Sequence, residues 1–137
     1  MSLQGDSNPK IYGRFEGEEP WTDLGQYASD FLTEFVLLET MFAARFVAQA
    51  ASVEAKQFRE IESALSPSPS QPWRWPATGA RLYSKGEAIV FACPNGRRHD
   101  LQEPDDPYSL WVGAETASEL EFLRPLASAG WESLPLE

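Results

Sequence analysis

One cysteine and one histidine among 137 residues remove several kinds of chemistry at once. Cys93 has no partner for an internal disulfide, and a lone thiol suits a reducing cytoplasm. Cys93 and His99 together are too few for a typical zinc site, and Asp105-Asp106 lacks the spacing of a calcium-binding loop, so no metal is expected. There is no glycine-rich phosphate loop and no GxSxG elbow, hence no legible cofactor site or catalytic signature. The longest uncharged run, Ser63 to Trp73, is rich in Ser and Pro rather than apolar, and no charged-then-apolar signal segment opens the chain. Basic residues are scarce as well: 11 Lys and Arg stand against 21 Asp and Glu, a formal net charge of −10. That balance repels phosphate backbones and anionic lipid, which disfavours nucleic acid and membrane and favours a basic protein partner.

What the chain does contain is bulk. Eight Phe, five Trp and four Tyr are material for a substantial core, and the length fits one domain. Residues 1–9 read as a flexible N-terminal segment and 10–136 as a single α+β domain, with helices packed on a small, mainly antiparallel sheet. KIYGRF at 10–15 alternates partly and reads as a short strand. Asp23 and Ser29 are alternative starts for a helix in which Ala28, Phe31, Leu32, Phe35, Leu38, Phe42 and Phe46 share one face. Val36, Leu37 and Met41 widen that face, which predicts a central helix buried on more than one side. Ala50 to Ser52 break the pattern, and Ser52 is placed to cap a second helix reaching about Leu65, stopped by Pro67.

Past Pro76 the period falls from about 3.6 to about 2. ARLYS and EAIVFAC flank a turn at Lys85-Gly86, and the second run is apolar on both faces, as an interior strand is. Asn95-Gly96 is a type I′ turn signal, with Arg97 to Gln102 returning as a peripheral strand. YSLWVGA follows as a strand with Tyr108, Leu110 and Val112 on one side and Trp111 on the other. Thr116 and Glu119 make a capping box for a last helix from Ala117. The helical half has too few strands and the strand-rich half too few helices to bury their apolar faces alone. The Pro-rich stretch at 66–76 is therefore expected to be a surface connection that docks through its tryptophans, not a hinge.

Two candidate binding surfaces emerge. Trp73, Trp75, Trp111 and Trp131 are an aromatic recognition patch if exposed, and core anchors otherwise. Arg74, Arg81, Arg97 and Arg98 lie near them in sequence, a combination able to stack on bases, against which the net charge argues. Glu16, Glu18, Glu19, Asp105 and Asp106 fall in expected turns and offer an acidic contact surface. A nucleophile pair of Cys93 and His99 would need a thiolate, whereas a thiol in an apolar strand is neutral and inert. The expectation is a non-enzymatic protein-binding module, with a small-ligand carrier using an aromatic pocket near Trp73 and Trp75 as the alternative.

The Ser-Asp-Phe-Leu helix start at residues 29–32, with PWRWP, PNG, LWVGA, ELEFL and Gly130-Trp131 in that order, resembles the bacterial SUKH superfamily, which also includes yeast regulators of cell-wall synthesis. The family's Gly-Gly-rich stretch before its middle strands has no counterpart here. The resemblance implies helices on an antiparallel sheet and a binding role, often as an immunity protein against a secreted toxin. It carries no catalytic residues to transfer.

Overall fold

The computed structural model describes residues 8–14, 21–68, 79–95 and 107–135. Strands β1 (Lys10–Gly13) and β2 (Thr22–Tyr27) pair antiparallel as a separate hairpin. Helix α1 (Ala28–Phe42) leaves β2 directly. Its N-cap position is Tyr27, whose side chain makes no hydrogen bond to the first turn. The orphan donors are met from upstream instead: Ala28 N–H reaches the Pro9 carbonyl at 2.7 Å, and Ser29 N–H reaches Asn8 Oδ1 at 2.9 Å. The hairpin thus fixes where α1 starts, and Asp23 belongs to a strand.

Strand β3 (Phe46–Val53) comes next, then α2 (Ala55–Glu62), β4 (Ser66–Pro67), β5 (Arg81–Lys85), β6 (Ala88–Pro94) and β7 (Tyr108–Ala114). A 3-10 helix (Ala117–Leu126) and β8 (Trp131–Glu132) follow. Six strands form one antiparallel sheet in the order β4-β5-β6-β7-β3-β8. The chain is a single α+β domain. β3 makes it so, because a strand of the N-terminal half sits between β7 and β8 of the C-terminal half.

Several elements differ from the sequence expectation. Phe46 starts a strand rather than ending the first helix. The second helix is shorter than expected, and Ser52 lies in β3 instead of capping it. Within β3 a bulge between Ala50 and Val53 leaves Ala51 and Ser52 exposed, and the displaced Ala51 carbonyl accepts from Asn95 Nδ2 at 2.8 Å and Ser109 Oγ at 2.9 Å. Pro94 is paired with Tyr108 and Asn95 N–H donates to the Pro107 carbonyl; Gly96 and the segment from Arg97 to Gln102, on which the expected turn and peripheral strand fall, lie outside the described residues. The β5–β6 turn is one residue later than expected, at Gly86-Glu87. Gly86 has φ +60, which suits the first central position of a type II′ turn.

The sheet is covered on both faces. On one, Phe58 and Ile61 of α2 and Leu120, Leu123 and Leu126 of the 3-10 helix pack on Val90, Leu110 and Val112. Phe58 lies 4.5 Å from Tyr108 and 6.0 Å from Tyr83, ring centre to ring centre. The three leucines recur every third residue, so at about three residues per turn they form one straight stripe. Pro125 has no N–H for the i−4 bond of an α-helix, which removes the competing geometry there. The capping box forms as expected, with Glu119 Oε1 accepting the Thr116 N–H at 3.1 Å. On the other face, Met41 of α1 packs with Leu82 and Phe91, flanked by Leu37, Leu38 and Trp111. α1 crosses β7 at Gly113, where a Cβ would lie 2.9 Å from the Met41 Cα and carbonyl carbon and closer still to its oxygen. Only a glycine admits the helix so near.

Candidate functional site

Helix α1 is not the doubly buried element its composition predicts. Only Glu34 and Met41 are buried along it. Leu32 and Val36 are each 61 % exposed, Phe42 52 % and Phe35 48 %. At 3.6 residues per turn these four share an arc of about 120° on the side turned away from Met41. The Phe31 and Phe35 rings stack at 6.3 Å between centres. The wide apolar face therefore divides: Leu37, Leu38 and Met41 meet the sheet, while the other part faces solvent. The adjoining hairpin exposes Tyr12, Trp21 and Tyr27, and the Arg14 guanidinium lies 4.8 Å from the Trp21 ring centre. Among its charged residues α1 has Asp30, Glu34 and Glu39, with no Lys or Arg. Glu39 lies within the exposed arc and Asp30 on the far side of the helix, so the surface is apolar with one carboxylate in it.

Beside this face, α1 and the β4–β5 edge of the sheet enclose a cleft of about 450 Å³. Leu37, Leu82 and Ile89 supply apolar lining, and Asp30, Thr33, Ser66, Ser68 and Ser84 supply polar lining. Behind Ser68 sits Glu34, 2 % exposed, whose carboxylate accepts the Ser68 hydroxyl proton. Arg81 Nη2 donates to the Ser68 carbonyl at 3.2 Å, so a cation stands on the same side as the buried carboxylate. β4 is held on β5 by the Ser66–Ser84 and Pro67–Tyr83 pairs and by Ser68 N–H to the Leu82 carbonyl at 2.9 Å. The start of the Pro-rich stretch is thus an edge strand that walls the cleft.

Of the residues the sequence singled out, Trp111 and Trp131 are half-buried and are not brought together. Trp111 is paired with Gln49 and Trp131 with Ala50, neighbours that point to opposite faces of β3. Trp111 packs against Phe91 at 5.7 Å between ring centres, while Trp131 lies on the α2 side and donates its indole N–H to the Leu126 carbonyl at 2.7 Å. A single patch of all four tryptophans is excluded by that geometry. Trp73 and Trp75 lie outside the described residues, as do Glu16, Glu18, Glu19, Asp105, Asp106 and His99. Cys93 is half-buried, and desolvation pushes its thiol up to about 11, so it is neutral near pH 7. Tyr83 titrates well above the ordinary phenol range, chiefly through burial and then through the Glu62 carboxylate, which accepts its hydroxyl at 3.0 Å. Among the described residues no group of three or more His, Cys, Asp or Glu is placed to hold a metal ion, and no helix is long and apolar enough to cross a membrane.

The exposed half of α1 was readable as apolar but not as exposed, because periodicity gives the width of a stripe and not what covers it. The cleft had no sequence signal, since Asp30 and Thr33 of α1 meet Ser68 and Ser84 only where α1 lies beside the β4–β5 edge. Comparison with protein-family models, curated proteins and solved structures finds no match to this chain.

Proposed function

We propose that this protein is a non-enzymatic binding module that takes up a basic protein partner on the solvent face of α1. The observation that carries this reading is the exposure of Leu32, Phe35, Val36 and Phe42 on one side of one helix. Contiguous apolar surface of this kind marks interaction sites on monomeric proteins, whereas isolated exposed apolar residues do not. Charge complementarity selects the partner. Glu39 falls within the stripe, α1 has no cation, and the whole chain bears −10, so a second copy would bring like charge and a basic surface the opposite. The SUKH resemblance supports the same role, that of an immunity or regulatory protein in the cytoplasm.

The test is capture from the native organism with the parent protein and with a Leu32→Ser, Val36→Ser double variant. Both positions are exposed, so stability should change by about 0.5 kcal/mol or less per site. A basic protein retained by the parent and lost by the folded variant is the expected result. Equal retention by both would remove α1 from the interface.

A further inference from the structure

We infer that Glu39, in the middle of the exposed face of α1, anchors an arginine side chain of the partner, with the Phe35 and Phe42 rings beside it receiving the guanidinium. The inference rests on the reading of α1 as the binding surface and names the group that surface selects. At about 100° per residue, Glu39 lies about 20° from Leu32 and about 40° from Phe35 around the helix. Its neighbours three and four residues away are Phe35, Val36, Phe42 and Ala43. The one carboxylate of the face is therefore set among apolar side chains, not at their edge. Glu39 is exposed, as are Phe35 and Phe42. Among the described residues no cation is paired with the Glu39 carboxylate.

Each part of that arrangement suits a guanidinium. Its fork gives a carboxylate two parallel N–H bonds. Its plane stacks on aromatic rings, which also attract the charge. The Phe31 ring lies against Phe35 with planes 24° apart, which limits the orientations open to Phe35 before a ligand arrives. A lysine ammonium is more strongly hydrated and has no plane to stack, so it loses more on entering apolar surroundings and gains less there. The chain seats its own arginines in this way: Arg14 stands 4.8 Å from the Trp21 ring centre and Arg45 stands 5.6 Å from that of Phe46. On α1 the rings and the carboxylate are present, but the helix has no Lys or Arg. The cation comes from the partner.

The experiment follows backbone amide shifts of the full-length, ¹⁵N-labelled protein during titration with the blocked tripeptides Leu-Arg-Leu, Leu-Lys-Leu and Leu-Gln-Leu. Leu-Arg-Leu is expected to move the amides of Phe35, Glu39 and Phe42. It should bind about twofold to fivefold more tightly than Leu-Lys-Leu, the size of one exposed cation–ring contact, with Leu-Gln-Leu weakest. Glu39→Gln should weaken Leu-Arg-Leu by about twofold to fivefold, as for loss of one exposed ion pair. Phe35→Leu should abolish the preference for Arg over Lys while keeping an apolar side chain in place. Both positions are exposed, and a spectrum otherwise unchanged without peptide verifies the fold. Leu-Lys-Leu or Leu-Gln-Leu matching Leu-Arg-Leu on the parent would overturn the arginine anchor and leave α1 a docking face. Leu-Arg-Leu leaving the three amides unmoved, or binding the Glu39→Gln variant undiminished, would overturn it too. The Leu32→Ser, Val36→Ser capture keeps Glu39, Phe35 and Phe42 intact and so judges the α1 reading separately.

Discussion

Replacing Gly113 by Ala tests whether α1 lies on β7 as described. The added Cβ would stand 2.9 Å from two backbone carbons of Met41 and nearer to its carbonyl oxygen. Ordinary contacts of this kind need about 3.5 Å. A flexible side-chain tip would swing aside, but here the obstacle is helix backbone, so the last turn of α1 must lift by about 1 Å. A gap of that size forfeits about a quarter to a half of the dispersion attraction between the surfaces it separates. The surfaces in question are Met41, fully buried, with Leu37 and Leu38, against Leu82, Phe91 and Trp111. Overpacking of a core costs about 1–3 kcal/mol, and immovable backbone places this case at about 3. Ala reduces the entropy of the unfolded chain, returning about 0.5–1 kcal/mol. The expected net loss is about 2–2.5 kcal/mol. Urea unfolding followed by circular dichroism at 25 °C measures it, with Gly86→Ala as comparison. Gly86 has nothing within 4 Å of its would-be Cβ but has φ +60, so that change should cost about 1 kcal/mol through backbone strain alone. A Gly113→Ala protein within 0.5 kcal/mol of the parent would show that α1 does not rest on β7, and the cleft geometry would fall with it.

Four further outcomes are expected. Tyr83→Phe should cost about 1 kcal/mol at neutral pH by removing the hydroxyl bonded to Glu62. The Tyr83 phenol keeps its proton to a higher pH folded than unfolded, so its contribution is complete below the ordinary value of 10.0 and declines as pH rises above it; the Phe variant should lose that part of the alkaline slope in urea-melt stability. Cys93 should react with iodoacetamide at pH 8 about a hundredfold more slowly than a thiol at 9.0, because a value of about 11 leaves that much less thiolate; a rate equal to free cysteine would contradict its burial. Thr116→Ala should lower stability by about 1 kcal/mol, read from the urea midpoint, through loss of the capping box. Association with an identified basic partner should slow as ionic strength rises from about 0.02 to 0.15 M, measured by stopped flow; an on-rate indifferent to salt would remove the charge argument for that partner.

Local chemistry set down in the sequence determined a good part of this fold. The apolar run of β6 between polar neighbours, the alternation of β7 and the Thr116–Glu119 pair each carry their cause within a few residues, and each element forms where that cause lies. β3 escaped because its three alanines favour helix, Phe42 and Phe46 continue a helical spacing, and the bulge at Ala51-Ser52 interrupts period two. A strand of that kind is stabilised by β7 and β8, not by its own residues. The start of α1 lies close to the Ser29 signal, but its cap was hidden for the same reason, since Asn8 supplies it from 21 residues away. What the tertiary structure alone decided is which apolar residues remain uncovered. Periodicity made α1 apolar around much of its circumference, but one sheet face buries only one side of a helix, and β4 stands at the edge where α1 leaves a gap. The solvent-facing stripe and the cleft both come from that arrangement, because exposure and convergence belong to neighbours brought together in space.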